Sequence, residues 1–230
     1  QSVQNLSTTQ DEQITLYAQW AQDTYTVRFL DYDNTVLESQ TVAHGNAATA
    51  PTNPTRTGYT FTGWSPSDLT NITKDTDFIA EYSINQYTLT FNTDGGSPVA
   101  DITQDFDTTL PTVTDPTKTG YSFDSWTPEL PSNMPAGDQT HTANWTPISY
   151  EILFDANEGT GSMTNQTLTY DSEANLTENT FTRTGWTFTG WNTSADGSGT
   201  DYSNEQSVQN LSTTQDEQIT LYAQWAQDTY

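Results

Sequence analysis

Two histidines and thirty carboxylates are the side chains of this sequence that could carry out acid–base or metal chemistry. His44 and His141 are isolated from each other, and neither belongs to an HxH or HExxH motif. The sequence contains no Gly-x-Ser-x-Gly motif, phosphate-binding loop or cysteine. We therefore predict that the segment is not an enzyme, has no catalytic residue and binds no cofactor, and that both histidines are ordinary surface or turn residues.

Calcium is the ion that the carboxylates fit best. Asp155-x-Asn157-x-Gly159 has the early spacing of an oxygen-ligand loop, but Gln166 stands at the twelfth position, where a bidentate glutamate is needed. A second acidic cluster contains Asp101, Asp105 and Asp107. We interpret both clusters as turns and solvated charge, and no metal site is predicted.

The charge balance excludes several classes of partner. Five basic residues against thirty acidic ones give a net charge of −25, whereas nucleic acids and anionic membranes bind cationic surfaces. The apolar runs are only a few residues long, so no insertion into a membrane is expected from this segment.

The elements that position these residues are repeated. Residues Gln1–Tyr25 recur unchanged at residues 206–230. Between these copies, the motif TGYTFTGW at Thr57–Trp64 returns as TGYSFDSW at Thr119–Trp126 and as TGWTFTGW at Thr184–Trp191. We predict three modules, at residues 21–82, 83–145 and 146–225, of which the third is a long form. Residues 1–20 would be the C-terminal part of a preceding, truncated module, and residues 226–230 the start of the next.

Each module reads as β-structure. Tyr25, Val27 and Phe29 alternate with polar residues, as on one face of a strand, and ITLYAQW at Ile14–Trp20 also alternates. Gly63 is expected to form a bulge that turns Trp64 to the face of Phe61. We predict about four short strands per module and little helix, with a helical turn possible at Gly45–Ala50 or Asp171–Leu176.

Small modules without disulfides need large side chains to form a core. The chain has 7 Trp, 12 Tyr and 9 Phe, and most of these rings recur at fixed places in the modules. The rings outside the repeated pattern are Tyr32, Phe106, Tyr170, Phe181 and Tyr202. The cations that precede each Gly-aromatic pair, Arg56, Lys118 and Arg183, are expected to be local ion-pair partners.

Four-residue linkers join the modules, at Ala21–Thr24, Ser83–Gln86 and Thr146–Ser149. Four residues span at most ~14 Å, so neighbouring modules should touch and form an elongated, semi-rigid, monomeric rod. Lys74 and Lys118 occupy different places in their modules, which argues against isopeptide cross-links. The sequence does not decide whether ester cross-links form between Thr and Gln side chains.

The third module resembles the Listeria–Bacteroides repeat, or internalin B-repeat, family of bacterial surface proteins. The similarity rests on FDANEGTGSM, on GWTFTGWNT and on the closing LYAQW. The first two modules resemble shorter members, with Tyr82 where Trp is usual. The resemblance implies a β-grasp-like sheet and an extracellular, cell-surface location, with attachment to the cell wall through regions outside this segment.

We therefore expect a tandem-repeat stalk or spacer of a surface adhesin, which holds a distal domain away from the cell. Its partners would be the neighbouring repeats of the same chain and an unknown host or matrix ligand. The first alternative is a glycan-binding module array, since exposed rings stack on sugars. The second is a calcium-stiffened rod.

Overall fold

A computed structural model describes residues 7 and 9–229, and every regular element in that part of the chain is a β-strand. The first sheet comprises β1 (Thr24–Leu30), β2 (Val36–Ala43), β3 (Tyr59–Ser65) and β4 (Thr76–Ile84). The second comprises β5 (Gln86–Asn92), β6 (Ile102–Asp105), β7 (Tyr121–Thr127) and β8 (Gln139–Pro147). The third comprises β9 (Ser149–Asp155), β10 (Gln166–Thr169), β12 (Trp186–Asn192), β13 (Asp201–Tyr202) and β15 (Gln218–Gln227). A separate pair contains β11 (Ala174–Asn175) and β14 (Ser207–Val208).

The three sheets share one topology. In the first, the order is β2-β1-β4-β3, with β1 and β4 parallel and the outer pairs antiparallel. The second repeats it as β6-β5-β8-β7, and the third as β10-β9-β15-β12 with β13 added at the edge. This is a β-grasp-like sheet without a helix, so the predicted mainly β fold of small tandem sheets is confirmed. The helical turns considered at residues 45–50 and 171–176 are not formed; residues Ala174–Asn175 pair as β11 instead.

A parallel pair at the centre of a sheet requires a long crossover connection. In the first sheet, the loop after β2 pairs with the loop before β4: Gly45 N–H donates to the Ile72 carbonyl, and Ala48 N–H donates to the Leu69 carbonyl, both at 2.8 Å. Ala48 and Ile72 are thereby buried against the sheet. The paired loops cover the core face.

The expected alternation is present in the opening strands. Val27 and Phe29 have no exposed surface, whereas Thr26 and Arg28, which alternate with them, face solvent. The bulge is confirmed as well, because the register of β3 against β4 shifts between Phe61 and Gly63. The shift places Trp64 in the core, at 8% exposure.

The tryptophan behind the bulge is the centre of each core. The Trp64 ring lies 4.9 Å from Phe29 and 5.3 Å from Phe61, centroid to centroid. The same shift occurs after Phe123 and after Phe188. There the rings of Trp126 and Trp191 lie between Phe91 and Phe123, and between Phe154 and Phe188, at 4.9–5.3 Å.

The chain divides into two compact units, residues 1–85 and residues 86–230. The closing strands β4 and β8 each run two residues beyond the module ends predicted at residues 82 and 145. A single residue, Asn85 or Ile148, therefore separates each closing strand from the next opening strand, and the prediction of four-residue linkers is wrong. The module boundaries themselves stay predictions.

The leading segment differs from its second copy. Residues 1–6 and 8 lie outside the described residues, and residues 9–23 form no strand. Leu16, Tyr17 and Trp20 are 72%, 81% and 91% exposed. The identical sequence at residues 214–228 contains the whole of β15, in which Leu221 is fully buried. The same residues form a central strand only where β9 and β12 lie on either side.

This duplication supplies a matched pair of substitutions. We expect Leu221→Ala to lower the free energy of unfolding of the third sheet by about 2–5 kcal/mol, because it leaves a cavity in the core. Leu16→Ala removes the same side chain from the same local sequence and should leave the stability unchanged. Urea denaturation, followed through the indole NMR signal of Trp191, measures both. Equal effects would contradict the assignment of these cores.

The closing ring of the first sheet is Tyr82, where Trp145 and Trp225 occupy the equivalent places. The indole N–H of Trp145 donates to the Thr93 carbonyl and that of Trp225 to the Ala156 carbonyl, both at 3.0 Å. The Tyr82 hydroxyl instead donates to the Asp31 carboxylate at 2.7 Å. Burial, together with this hydrogen bond, raises the pKa of Tyr82 to about 12.

The raised pKa of Tyr82 predicts a loss of stability in alkali. Between its usual pKa of 10.0 and about 12, the unfolded chain loses the phenolic proton while the folded chain keeps it. The contribution of Tyr82 to the stability of the first sheet should therefore be complete below pH 10 and be lost as the pH rises through this window. Tyr82→Phe should abolish that dependence. Chemical denaturation between pH 9 and pH 12 is the measurement, and an unchanged pH profile in Tyr82→Phe would contradict the prediction.

Candidate functional site

The contact between the second and third sheets is the candidate functional site, and we call it the 120–171 contact. It consists of Gly120 and Tyr121 from the second sheet, the connecting residue Ile148, and Tyr170, Asp171 and Asn210 from the third. All of them lie within the unit of residues 86–230. The contact exists because β9 begins only one residue after β8 ends.

Backbone hydrogen bonds hold Ile148 on both sides. Its N–H donates to the Gly120 carbonyl at 3.0 Å, and its carbonyl accepts from the Tyr170 N–H at 2.9 Å. The side chain is 4% exposed. The connection is therefore buried and hydrogen-bonded to both sheets, and it differs from a solvated linker.

Aromatic packing closes the contact around Gly120. The Tyr170 ring lies so close to Gly120 that a Cβ there would overlap it. The same ring meets that of Tyr121 at 5.8 Å, edge to face with an interplanar angle of 72°. Such pairs stabilise beyond the area that they bury. Only glycine leaves room for this approach.

A hydrogen-bonded carboxylate completes the contact. Asp171 accepts from the Asn210 amide at 2.8 Å and from the Tyr121 hydroxyl at 2.7 Å. The Asp171 N–H donates to the Asn210 side-chain oxygen at 2.6 Å. The hydrogen bonds from Asn210 and Tyr121 lower the pKa of Asp171, and the bond to Asp171 raises the pKa of Tyr121. Both groups are solvent-accessible, so this network orients the two sheets more than it adds stability.

The recurring cations Arg56, Lys118 and Arg183 each stand two residues before the glycine that corresponds to Gly120. Lys118 Nζ is 3.8 Å from an Asp94 carboxylate oxygen and 4.5 Å from the Tyr121 ring centre. Arg183 pairs with Glu158 and stacks on Trp186. The predicted ion pairs are thus present for Lys118 and Arg183.

Arg56 behaves differently from its two counterparts. Its guanidinium lies 3.9 Å from the ring centre of Tyr32 and 3.7 Å from that of Tyr59. Cation–π contact therefore takes the place of the predicted ion pair.

The two histidines have different environments. His44 is exposed, and its Nδ1 lies 3.3 Å from the Tyr25 hydroxyl. The prediction for His141 is wrong, because this residue is fully buried in β8, at the core position that Phe78 occupies in β4. Its Nδ1 is 2.6 Å from the Pro128 carbonyl, and its Nε2 has no hydrogen-bond partner within the described structure. Histidine is polar, so the local sequence does not mark this position as part of the core.

The candidate calcium loop consists of turn contacts. Asp155 accepts a hydrogen bond from the Asn157 N–H at 2.8 Å, and the Asn157 amide donates to the Ala223 carbonyl at 2.9 Å. Gly159 lies beneath the Trp225 ring. Across residues 7 and 9–229, no three His, Cys, Asp or Glu side chains are grouped so as to hold a metal ion. That the protein binds no metal stays a prediction.

The five rings outside the repeated pattern do not form one surface. Phe181 is buried, Tyr202 packs against the third core, and Tyr32 is 50% exposed beneath Arg56. Phe106 is half-buried after β6, and Tyr170 lies in the 120–171 contact. The sequence contained an overlooked signal, since His44, Phe106 and Tyr170 each follow the second strand of a sheet.

Comparison with known proteins identifies the family. The profile of the Listeria-Bacteroides repeat domain matches residues 25–85, 87–146 and 150–224. These matches cover most of the chain, which therefore belongs to the Listeria–Bacteroides repeat family. It is a tandem array of three such repeats.

Individual relatives are longer proteins. The chain is 30% identical over 236 residues to a membrane protein of Evansella cellulosilytica, covering 94% of this chain and 35% of that protein. It is 34% identical over 128 residues to internalin H of Listeria monocytogenes, covering 47% of this chain and 23% of that protein. A solved structure of streptococcal SHIRT domains 3-4 from a cell surface protein is 20% identical, with a TM-score of 0.25, covering 54% of this chain and 99% of that structure. The chain thus spans about a third or less of the curated relatives that it matches.

No helix in the described part of the chain is long and apolar enough to cross a bilayer.

Two glycines provide a test of the 120–171 contact. Gly120 and Gly185 precede the same aromatic position and share a φ of +76°, but a Cβ at Gly185 would meet nothing within 4 Å. Gly185→Ala should cost only the left-handed backbone strain, about 1–2 kcal/mol. Gly120→Ala should cost more, because the methyl group also displaces Tyr170.

Amide hydrogen exchange locates the difference between the two variants. Exchange at Ile148 and Tyr170 should accelerate in Gly120→Ala and stay unchanged in Gly185→Ala. If both variants left these amides equally protected, the contact would not depend on the fit of Tyr170 against Gly120.

Proposed function

We propose that this array is a spacer segment of an extracellular bacterial surface protein, one that holds a distal domain at a distance from the cell. The observation that carries the proposal is Ile148, a single buried connecting residue hydrogen-bonded to the sheets on both sides. A spacer needs joints that resist bending, and a connection without solvated residues removes most of the rotational freedom of a linker.

The charge and the relatives support the same role. At a net charge of −25, copies of the chain repel one another, which disfavours lateral association and keeps the array monomeric. The relationship to a membrane protein and to internalin H favours a location at the cell surface. The partners of each module are then its neighbouring repeats, and the array carries no catalytic activity.

The glycan-binding alternative finds less support. Sugar sites of the kind considered need rings that face solvent together, whereas the tryptophans Trp64, Trp126 and Trp191 are buried. An open groove of about 350 Å³ in the second module is lined by Pro98, Val99, Pro111 and other residues, none of them aromatic. We therefore favour the spacer.

Spin labels test the stiffness of the joint. The chain has no cysteine, so single cysteines can be introduced and labelled specifically. Thr112 in the second module and Ala195 in the third are both exposed and can be changed to Cys. Double electron–electron resonance should give one narrow distance distribution. Gly120→Ala should broaden it, and Gly185→Ala should not.

A broad distribution in the otherwise unaltered chain would contradict the spacer proposal, because flexible joints cannot hold a domain at a fixed distance. A glycan array with the same protein provides the opposite test. Binding that is lost when an exposed ring is removed, such as in Tyr32→Ala, would favour the alternative.

A further inference from the structure

We propose that the end of the third module is a docking face for a further module with the sequence of the first. The face, which we call the exit face, consists of Gly185, Trp186 and Asp228. Its occupant is a second copy of the segment Ala21–Tyr82, entering with the ring at the position of His44. The inference rests on the proposed arrangement of the modules as contacting neighbours, and it adds the identity of the matched partner.

The exit face already has the backbone geometry of an occupied joint. Asp228 N–H donates to the Gly185 carbonyl at 3.0 Å, as Ile148 N–H does to the Gly120 carbonyl. The Thr187 hydroxyl fixes the Asp228 carboxylate at 2.7 Å. The chain therefore leaves the third sheet along the same path by which it leaves the second.

The exit face has no counterpart of the ring that fills the 120–171 contact. Gly120 lies under Tyr170, whereas the space beside Gly185 is open over at least 4 Å. Trp186 is half-buried and takes the place of Tyr121, with Arg183 stacked 4.1 Å from its ring centre. The ring of a following module could therefore pack over Gly185 and against the edge of Trp186, as Tyr170 packs over Gly120 and against Tyr121.

The first module has the residues that would pack against the exit face. The His44 N–H donates to the Asp23 carbonyl at 2.8 Å, as the Tyr170 N–H does to the Ile148 carbonyl. Asp23 is the counterpart of Asp228, because residues 226–230 repeat residues 21–25. The His44 ring is exposed. The same aspartate position therefore has both hydrogen bonds of a joint, one in each of its copies. Asp228 donates to the preceding module, and Asp23 accepts from the following one.

In the 120–171 contact and at the exit face, the side chain on one module corresponds to the side chain on the module that follows it. In the 120–171 contact, the Tyr121 hydroxyl meets the Asp171 carboxylate at 2.7 Å. At the exit face, the corresponding residue is Trp186, which has no hydroxyl, and the residue after His44 is Gly45, which has no carboxylate. A carboxylate facing the Trp186 edge would lack the hydroxyl donor that Tyr121 provides to Asp171. A module with Gly45 at this place has no carboxylate, so it loses no such hydrogen bond beside Trp186.

The experiment extends the full chain by residues 26–85, so that residues 226–230 serve as residues 21–25 of the appended module. The imidazole NMR signals of the appended histidine should be shifted upfield from those of His44, which serves as the internal reference. Trp186→Ala should return them to the position of the His44 signals, and Trp186→Phe should retain part of the shift. Coinciding histidine signals in the unaltered extended chain would overturn the proposal.

The glycine comparison gives an independent measurement. Gly185→Ala should accelerate amide exchange at Asp228 more strongly in the extended chain than in the 230-residue chain, because only the former has a ring to displace. Equal effects in the two chains would count against docking. An appended segment that stays unfolded would also contradict the proposal, since the same sequence forms the first sheet.

The spin-label distance between residues 112 and 195 separates this inference from the spacer proposal. If the histidine signals coincide while that distance stays narrow, the exit face fails and the spacer proposal stands. If the distance is broad, the spacer proposal fails whatever the exit face binds.

Discussion

The structure depends on one aromatic arrangement, a tryptophan turned inward by a bulge and held between two phenylalanines. Only 32% of the residues are apolar and the chain has no cysteine, so sheets of four or five strands cannot close on aliphatic packing or disulfides. In each core, the opening strand supplies one Phe and the bulged strand supplies the other Phe and the Trp. Because these rings are used within the sheets, few remain to bind a ligand.

A short connection also determines how the second and third modules meet. Closing strands continue until a single residue separates them from the next opening strand. At Ile148 this residue is buried, and the joint is formed by a glycine, two tyrosines and a hydrogen-bonded carboxylate. In the spacer role that we propose, function would arise from the geometry between such neighbours.

Much of this could be predicted from the sequence. The strict alternation at Tyr25, Val27 and Phe29 and the glycine before Trp64 predicted strands and a bulge, since both are local properties of the backbone. The 120–171 contact could not be predicted in the same way. Tyr121 and Asp171 are fifty residues apart, and the importance of Tyr170 appears only when the third sheet brings it over Gly120. The burial of His141 could not be predicted for a related reason, because its neighbours in the core come from other strands.

The repeated 25-residue sequence separates the two sources of information. By itself, it determined the polar–apolar alternation of a closing strand, and the family motif that goes with it. The tertiary structure decided whether that strand forms: residues 214–225 contribute to a central strand between β9 and β12, whereas residues 9–20 lie exposed without a strand. The physical reason is that a β-strand has no hydrogen bonds of its own. Its backbone groups and its apolar face are satisfied only by neighbouring strands, which the local sequence cannot supply.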